Sequence, residues 1–260
     1  MKIGVIGTGN MGGALMDAFC KDAENTMVAC NHGKEKLEAV CKRTGTVPAA
    51  SAAEVAQNCE LLMLAVKPIV MPEILREIAP VVTKDQIIVS IAVGLTIQSY
   101  LDVLGEDKKV VRAMPNTPAA VQAGMTAFSF GENVTEEDQA KVLKLFSLAG
   151  GTSVLPERLM NAVSALTGSS PAYVYMFIEA MGDAGCYAGI PRQQAYELAA
   201  QAVLGSAKMV LESGKHPAQL KDEVCSPGGT TIRAVAQLEK DGMRSAVIEA
   251  IRSCVDAAEK

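Results

Sequence analysis

A glycine-rich segment late in the chain, Ser226-Pro-Gly-Gly-Thr-Thr231, carries residue types suited to holding a small anion. It precedes a helical pattern over 232–238, so its backbone N–H groups lie at a helix N-terminus, where free donors and the helix dipole favour negative charge. The pattern predicts a carboxylate site, and the alternative is simple capping of the helix by a Ser or Thr side chain. The candidate substrate ligands are Ser226, Gly228, Gly229, Thr230 and Thr231.

A second glycine-rich segment, Gly7-Thr-Gly-Asn-Met-Gly12, follows an apolar strand pattern over 2–7 and opens a helical pattern. In such a turn Gly7 permits the tight bend, Gly9 lets the backbone approach a pyrophosphate, and Gly12 lets the helix pack closely on the strand. The strand–turn–helix context predicts a dinucleotide site, and the alternative is a glycine-rich turn without a ligand. The candidate cofactor ligands here are Gly7, Thr8, Gly9, Asn10, Met11 and Gly12.

The end of the second predicted strand, Asn31-His-Gly-Lys34, bears on the choice between NAD and NADP. It has no carboxylate to bind a ribose 2′-hydroxyl or to repel a 2′-phosphate. Asn31 and the Gly33 amide are donors and Lys34 supplies positive charge, which favours NADP. His32 is placed either to stack on the adenine or to lie in solvent as an ordinary loop residue.

Two further strand ends complete the candidate cofactor site, because ligands of open α/β sheets bind at the carboxyl ends of the strands. The turn Ala65-Val-Lys-Pro68 puts Lys67 either towards the cofactor or in solvent. The turn Met114-Pro-Asn-Thr-Pro118 places Asn116 to meet the nicotinamide or the substrate, unless it is only a rigid turn. The candidates are Ala65, Val66, Lys67, Pro68 and Asn116, and no residue set predicts a metal site.

Alternating strand and helix patterns up to Pro156 predict the scaffold that positions these residues. Such alternation is typical of β-α-β units, and we expect an α/β fold with a Rossmann-type doubly wound sheet. After Pro156 the pattern is almost entirely helical, which predicts an all-α C-terminal domain. The expected domains are residues 1–156, which bind NAD(P), and residues 157–260, which dimerise and bind substrate.

The C-terminal helical patterns are apolar on more than one face, notably over 170–187 and 193–211. A helix that is apolar all round must be buried on all sides. A region of about a hundred residues has too little interior for several such helices. We therefore expect a homo-oligomer with a dimer as its smallest unit, and the alternative is packing against the N-terminal domain.

Composition excludes several classes of function. The net charge of −5 argues against nucleic acid or an acidic membrane as the main partner. The seven cysteines show no C-x-x-C spacing, which is typical of free thiols in a reducing compartment. Because the chain passes directly into a strand pattern and has no long apolar run, we expect a cytoplasmic protein without a signal peptide or a membrane span.

Proton donors are scarce in this sequence. The only histidines are His32 and His216, and no lysine occurs between residues 147 and 207. Dehydrogenases of the β-hydroxyacid type resemble this architecture, but they use a catalytic lysine on the long helix after the nucleotide domain. Reducing a ketone needs a donor for the forming alkoxide, whereas a protonated imine already carries its proton. The sequence therefore favours an imine over a ketone as the substrate.

Five motifs together resemble the delta-1-pyrroline-5-carboxylate reductase family over essentially the whole chain: 7–12, 65–68, 112–118, 166–173 and 226–231. The resemblance implies reduction of (S)-1-pyrroline-5-carboxylate to L-proline with NADPH, NADH being possible. It further implies that amides of 228–231 hold the substrate carboxylate and that Thr231 hydrogen-bonds the ring nitrogen as the catalytic residue.

The resemblance also implies a dimer with intertwined C-terminal helices, often arranged as a ring of dimers. The chain departs from many members at two positions near the adenosine, with His32 in place of Arg and Ala52 in place of Asn. The alternatives are another imine or keto-acid reductase of the same fold, or a non-catalytic NADP-binding regulatory protein.

Overall fold

The computed structural model describes residues 1–258, which form two compact units. The first unit comprises Met1–Ser169 together with residues 257 and 258, and the second comprises Ser170–Asp256. The domain boundary expected after Pro156 lies a short way upstream of this division and stays a prediction.

The first unit is built on one eight-stranded sheet with the order β3-β2-β1-β4-β5-β6-β7-β8. All neighbouring strands are parallel except β6 and β7, which are antiparallel. This arrangement confirms the predicted doubly wound, Rossmann-type sheet. The strands are β1 (Lys2–Ile6), β2 (Thr26–Cys30), β3 (Val47–Pro48), β4 (Leu61–Leu64), β5 (Ile87–Ser90), β6 (Lys109–Met114), β7 (Gly124–Phe130) and β8 (Gly150–Val154).

Seven α-helices accompany the sheet in the first unit. Thr135 caps α6, because its side chain accepts a hydrogen bond from the Asp138 amide in a capping box. The helices are α1 (Asn10–Phe19), α2 (Lys34–Thr44), α3 (Ala52–Gln57), α4 (Met71–Ile78), α5 (Ile97–Leu104), α6 (Glu136–Ser147) and α7 (Met160–Val163).

The core lies on both faces of the sheet. Successive residues of a strand point to opposite faces, and in β4 Leu61 and Met63 join one apolar cluster while Leu62 and Leu64 join the other. All four β4 side chains are fully buried. A strand covered by helices on both sides needs an unbroken apolar run, and β4 has one.

Buried cysteines contribute to this core as small apolar residues. Cys30 and Cys59 are each 8% exposed. Burial, with a smaller contribution from nearby carboxylates, raises the pKa of both thiols to about 12. They therefore stay protonated at neutral pH and are not nucleophiles.

The second unit consists of helices only. Its first two helices pack closely where Gly182 lies against the ring of Tyr196. The helices are α8 (Ser170–Tyr187), α9 (Arg192–Ser213), α10 (Pro217–Val224), α11 (Thr230–Lys240) and α12 (Met243–Ala258). Among the described residues, no helix has both the length and the apolar character needed to cross a membrane.

The second unit buries little of its apolar surface within one chain. In α8 only Gly182 is buried, and in α9 only Ala195 and Ala199. Large apolar side chains stay exposed along the same helices, with Met176 68% exposed and Leu211 84% exposed. Continuous apolar surface of this kind marks an interaction site rather than an ordinary solvent face.

Candidate functional site

The turn after β1 adopts a conformation that depends on its glycines. Gly7 has φ +100°, and a Cβ placed on it would lie 2.6 Å from the carbonyl oxygen of Ala65. A Cβ on Gly12 would lie even nearer to the carbonyl oxygen of Gly7, because α1 packs directly against the end of the strand. Gly9 differs, since no atom lies within 4 Å of its Cβ position.

Helix α1 begins at this turn without a side-chain cap. Its N-cap is Gly9, and the first helical bond runs from the Gly13 amide to the Gly9 carbonyl oxygen at 2.7 Å. The amides of Asn10, Met11 and Gly12 have no acceptor within the helix. Donors at a helix N-terminus, with open space beside Gly9, fit the pyrophosphate of a dinucleotide.

Asn31 connects this turn to the turn between β2 and α2. Its Oδ1 accepts a hydrogen bond from the Thr8 amide at 3.2 Å, and its Nδ2 donates to the Gly33 carbonyl oxygen at 3.0 Å. His32 and Lys34 are exposed on the same turn. Sequence reasoning gave Asn31 a ligand contact and missed its bonds to two backbone segments. The ligand contact stays a prediction.

The turn after β4 lies at the same edge of the sheet, because β4 is the parallel neighbour of β1. The Ala65 amide donates to the Ile6 carbonyl oxygen at 2.8 Å, which places Ala65 directly beside Gly7. Ala65 and Val66 are partly buried, whereas Lys67 and Pro68 are exposed. The structure therefore brings the 65–68 turn and the first glycine turn together, as the sequence predicted.

Asn116 is 9% exposed and uses both ends of its side chain within the protein. Its Oδ1 accepts from the Met125 amide at 2.8 Å, and its Nδ2 donates to the Thr167 carbonyl oxygen at 3.0 Å. It thereby holds the turn after β6 against a π-helical turn, Ser164–Gly168, that follows α7. These bonds give Asn116 a structural role, and its predicted contact with nicotinamide or substrate stays a prediction.

A buried ionic network, which sequence reasoning missed, surrounds Arg112 on β6. Arg112 is 4% exposed. Its guanidinium lies 3.4 Å from Oε1 of Glu157 and donates to Oδ1 of Asn161 at 3.3 Å. Glu157 Oε1 also accepts from the Ile97 amide at 2.7 Å, at the start of α5. An arginine inside an otherwise apolar strand was the available signal, since a buried charge requires partners.

The second glycine-rich loop ends in a tight turn before α11. The Gly229 amide donates to the Ser226 carbonyl oxygen at 3.0 Å, and Gly228 has φ +70°. Pro followed by Gly at the centre of the turn is the sequence such a geometry requires. The Gly229 amide is thus used within the turn, which leaves the amides that follow it as the candidate donors.

Helix α11 begins at Thr230, two residues before the predicted start, and its N-cap is Gly229 without a side-chain hydrogen bond. The alternative of capping by Ser or Thr is therefore not what the structure shows. The amides of Thr230 and Thr231 point out of a helix end with no internal acceptor. Thr230 is exposed and Thr231 partly buried.

Both histidines are exposed. The ring Nδ1 of His216 accepts a hydrogen bond from the Ala218 amide at 3.2 Å and caps α10. His32 lies exposed on the turn after β2. Among the described residues, no group of three or more His, Cys, Asp or Glu side chains could hold a metal ion.

Comparison with known proteins identifies the family. Residues 157–260 match the family model described as pyrroline-5-carboxylate reductase dimerisation. Pyrroline-5-carboxylate reductase of Escherichia coli (strain K12) is 49% identical, over 100% of this chain and 97% of that protein. The chain belongs to the pyrroline-5-carboxylate reductase family. A relative of the same name from Pisum sativum is 36% identical, over 96% of this chain and 92% of its own length.

Solved structures agree with this family membership. The pyrroline carboxylate reductase of Plasmodium falciparum, determined with NADP bound, is 31% identical, with a TM-score of 0.88 and coverage of 99% of this chain and 97% of that chain. The Coxiella burnetii enzyme is 31% identical, with a TM-score of 0.92 and the same coverage. Residues 2–94 also match a model described as NADP oxidoreductase, coenzyme F420-dependent.

The fold and the family together give the chain its class. It is an oxidoreductase with a Rossmann-type domain for a nicotinamide cofactor, followed by a dimerisation domain. The predicted self-association is thus confirmed in its general form, and the exposed apolar faces of α8 and α9 agree with it.

Proposed function

We propose that this protein reduces (S)-1-pyrroline-5-carboxylate to L-proline with NADPH. The observation that carries this proposal is the uncapped start of α11, which offers free amides and two threonine hydroxyls in a chain of this family. An anionic substrate with a C=N bond matches that combination. A carboxylate suits the amides, and an imine nitrogen suits a hydroxyl.

The residues of the 226–231 loop have separate roles in this proposal. The amides of Thr230 and Thr231, with the Ser226 hydroxyl, hold the substrate carboxylate, while the Gly228 conformation and the Gly229 amide keep the turn closed. The Thr231 hydroxyl hydrogen-bonds the ring nitrogen and orients the C=N bond. Binding in one fixed orientation is itself a large contribution to rate.

The electron balance of the reaction needs no acid from the protein. A nicotinamide cofactor held at the first glycine turn would supply a hydride to form the C–H bond at the carbon of the protonated imine. The C=N π electrons move to the nitrogen, which already carries the imine proton, and the resulting amine takes a second proton from solvent. This agrees with His216 serving as a helix cap rather than a donor.

The residues around the first glycine turn support NADPH over NADH. The turn 31–34 has no carboxylate, and Lys34 is exposed at the start of α2. The N-cap of α2 is Gly33, with no side-chain hydrogen bond, so the first amides of α2 are also free of internal acceptors. Positive charge and free amides favour a 2′-phosphate.

The proposed working unit is a homodimer in the cytoplasm, with rings of dimers as a larger form. Self-association would cover the apolar faces of α8 and α9 that one chain leaves exposed. The buried free thiols of Cys30 and Cys59 favour a reducing compartment.

The deciding experiment follows cofactor oxidation by the purified protein. With pyrroline-5-carboxylate we expect turnover with NADPH, slower turnover with NADH, and L-proline as the product. An open-chain 2-oxo acid is the matched control, because it has the carboxylate without the C=N bond. Turnover of the oxo acid alone would assign a keto-acid reductase, and no turnover with either cofactor would refute the proposal.

A further inference from the structure

We propose that Asn31 is a positioning residue that fixes the spacing between the pyrophosphate turn and the adenosine turn, without contacting the cofactor itself. The inference rests on the proposed function only in taking these turns to be the dinucleotide site. It replaces the direct donor role that the sequence suggested for Asn31.

The side chain of Asn31 continues the parallel ladder between β1 and β2. The last paired residues are Ile6 and Cys30, and the Gly7 amide then donates to the Cys30 carbonyl oxygen at 2.9 Å. At the next position the Thr8 amide donates to Oδ1 of Asn31 at 3.2 Å, so a side-chain oxygen takes the place of the backbone carbonyl oxygen that a continued ladder would supply. The strands have separated there, so a side chain spans the gap.

The other end of the carboxamide holds the start of α2. Nδ2 of Asn31 donates at 3.0 Å to the Gly33 carbonyl oxygen, which also accepts the first helical bond, from the Leu37 amide at 3.2 Å. One planar group therefore links the glycine turn to the first carbonyl of the neighbouring helix. The carboxamide of Asn supplies on separate atoms the acceptor and the donor that these two partners need.

Loss of the Asn31 side chain is expected to be destabilising because of Thr8. Thr8 is 3% exposed, and its buried amide would have no acceptor without Asn31. Asp at position 31 would keep that acceptor but would set a carboxylate oxygen against the Gly33 carbonyl oxygen. Ala at position 31 would remove both hydrogen bonds, the one to the Thr8 amide and the one to the Gly33 carbonyl oxygen.

A bridging role and a ligand role predict different patterns of cofactor affinity. NADPH and NADH share the pyrophosphate, adenine and riboses and differ only in the 2′-phosphate. Loss of a residue that spaces the turns lowers the affinity for both dinucleotides by the same factor. Loss of a residue that binds the 2′-phosphate lowers the affinity for NADPH alone. Lys34 is the comparison for the second pattern, because it is an exposed cation on the same turn.

The test is fluorescence titration of NADPH and of NADH with purified variants. We expect Asn31→Ala to lower the affinity for both dinucleotides about tenfold, and Lys34→Ala to lower the affinity for NADPH only. Asn58→Ala is the matched control, because its amide bonds the Glu54 carbonyl oxygen on the surface, and it should change neither affinity. Asn31→Ala weakening NADPH alone, or neither dinucleotide, would overturn the proposal.

Hydrogen exchange at the Thr8 amide supplies a readout that needs no ligand. Asn31→Ala should speed this exchange about tenfold, and unchanged exchange would contradict the bridge. If Asn31→Ala does not fold, Asn31→Asp carries the test, since it keeps the Thr8 acceptor. It should weaken both dinucleotides, whereas tighter NADH binding would place the side chain at the ribose and overturn the proposal.

These outcomes separate the inference from the proposed function. If the wild-type protein binds both dinucleotides but does not reduce pyrroline-5-carboxylate, the proposed function is refuted and the role of Asn31 is unaffected. A wild-type protein that turns over the substrate, with Asn31→Ala binding both dinucleotides normally, would remove only the inference. Binding of neither dinucleotide by the wild type would remove both.

Discussion

Two helices of this protein begin in the same way, but the glycines that precede them differ in how closely other atoms surround them. Helices α1 and α11 both follow a glycine-rich turn, and both have a glycine N-cap without a side-chain hydrogen bond. The first turn is wedged against the sheet, where Gly7 and Gly12 leave no room for a Cβ. The second turn is open at Gly228, where no atom lies within 4 Å of the Cβ position, whereas a Cβ on Gly229 would meet the Ser226 hydroxyl, the end of a side chain.

The difference separates two reasons for a glycine before a helix. In the first turn glycine is required by the packing of a helix on a strand, so the fold depends on it. In the second turn glycine is required by the left-handed backbone at Gly228, and in the proposed function it also leaves the helix end accessible to the substrate. Substitutions in the two turns should therefore separate stability from activity.

The largest effect is expected for Gly12→Ala. Its methyl group would overlap the Gly7 carbonyl oxygen, and neither atom can rotate away, because the backbone fixes the position of a Cβ as well as that of a carbonyl oxygen. We expect a loss of about 3 kcal/mol or more in the free energy of unfolding. Urea denaturation measures this loss. A Gly12→Ala protein as stable as wild type would contradict the packing account of the first turn.

Gly9→Ala is the matched change in the same turn, because its methyl group meets open space. Stability should stay within about 0.5 kcal/mol of wild type. The methyl group would stand where a pyrophosphate approaches, so we expect NADPH affinity to fall about thirtyfold, or about 2 kcal/mol. Titration with NADPH checks this, and unchanged affinity would place the phosphates elsewhere.

Thr231→Ala tests the second turn. Loss of one hydrogen bond to the ring nitrogen should lower kcat/KM about tenfold, or about 1.4 kcal/mol, with NADPH affinity and stability unchanged. Steady-state kinetics with pyrroline-5-carboxylate measures the effect. Thr231→Ser keeps the hydroxyl and should recover most of the activity, and a serine variant as impaired as the alanine variant would argue against the hydroxyl.

The smallest effect is expected for Gly228→Ala. A left-handed backbone at φ +70° costs an L-residue about 1 kcal/mol, and there is space for the methyl group. Gly45→Ala, at φ +69° after α2 and also with open space, should lose the same amount of stability. Only Gly228→Ala should also raise the KM for pyrroline-5-carboxylate. An equal rise in KM for both would show that the second turn has no special role.

Sequence predicted the features that local patterns determine. The alternation of strand and helix patterns predicted the doubly wound sheet, and the spacing of Gly7, Gly9 and Gly12 predicted the tight turn and the close packing that the structure shows. Apolar residues on several faces of α8 and α9 predicted self-association. In each case a few neighbouring residues decide the outcome, and no distant partner is needed.

The features that sequence missed join residues far apart in the chain. Arg112 and Asn161 are 49 residues apart, and Asn116 and Thr167 are 51 apart. No spacing rule links such pairs, since only the completed sheet brings them together. The two-residue strand β3 was missed for another reason, because Val47 and Pro48 are too short a run to show alternation.

The Arg112 network has a consequence for the order in which the protein can be made. Arg112 leaves the ribosome well before Glu157, which is 45 residues further along the chain. A buried charge that lacks its partner is destabilising by up to about 3–5 kcal/mol, so we expect β6 to reach its final packing only after Glu157 has been synthesised. We therefore expect the sheet to complete its packing, during synthesis, only when the segment that follows β8 is also present.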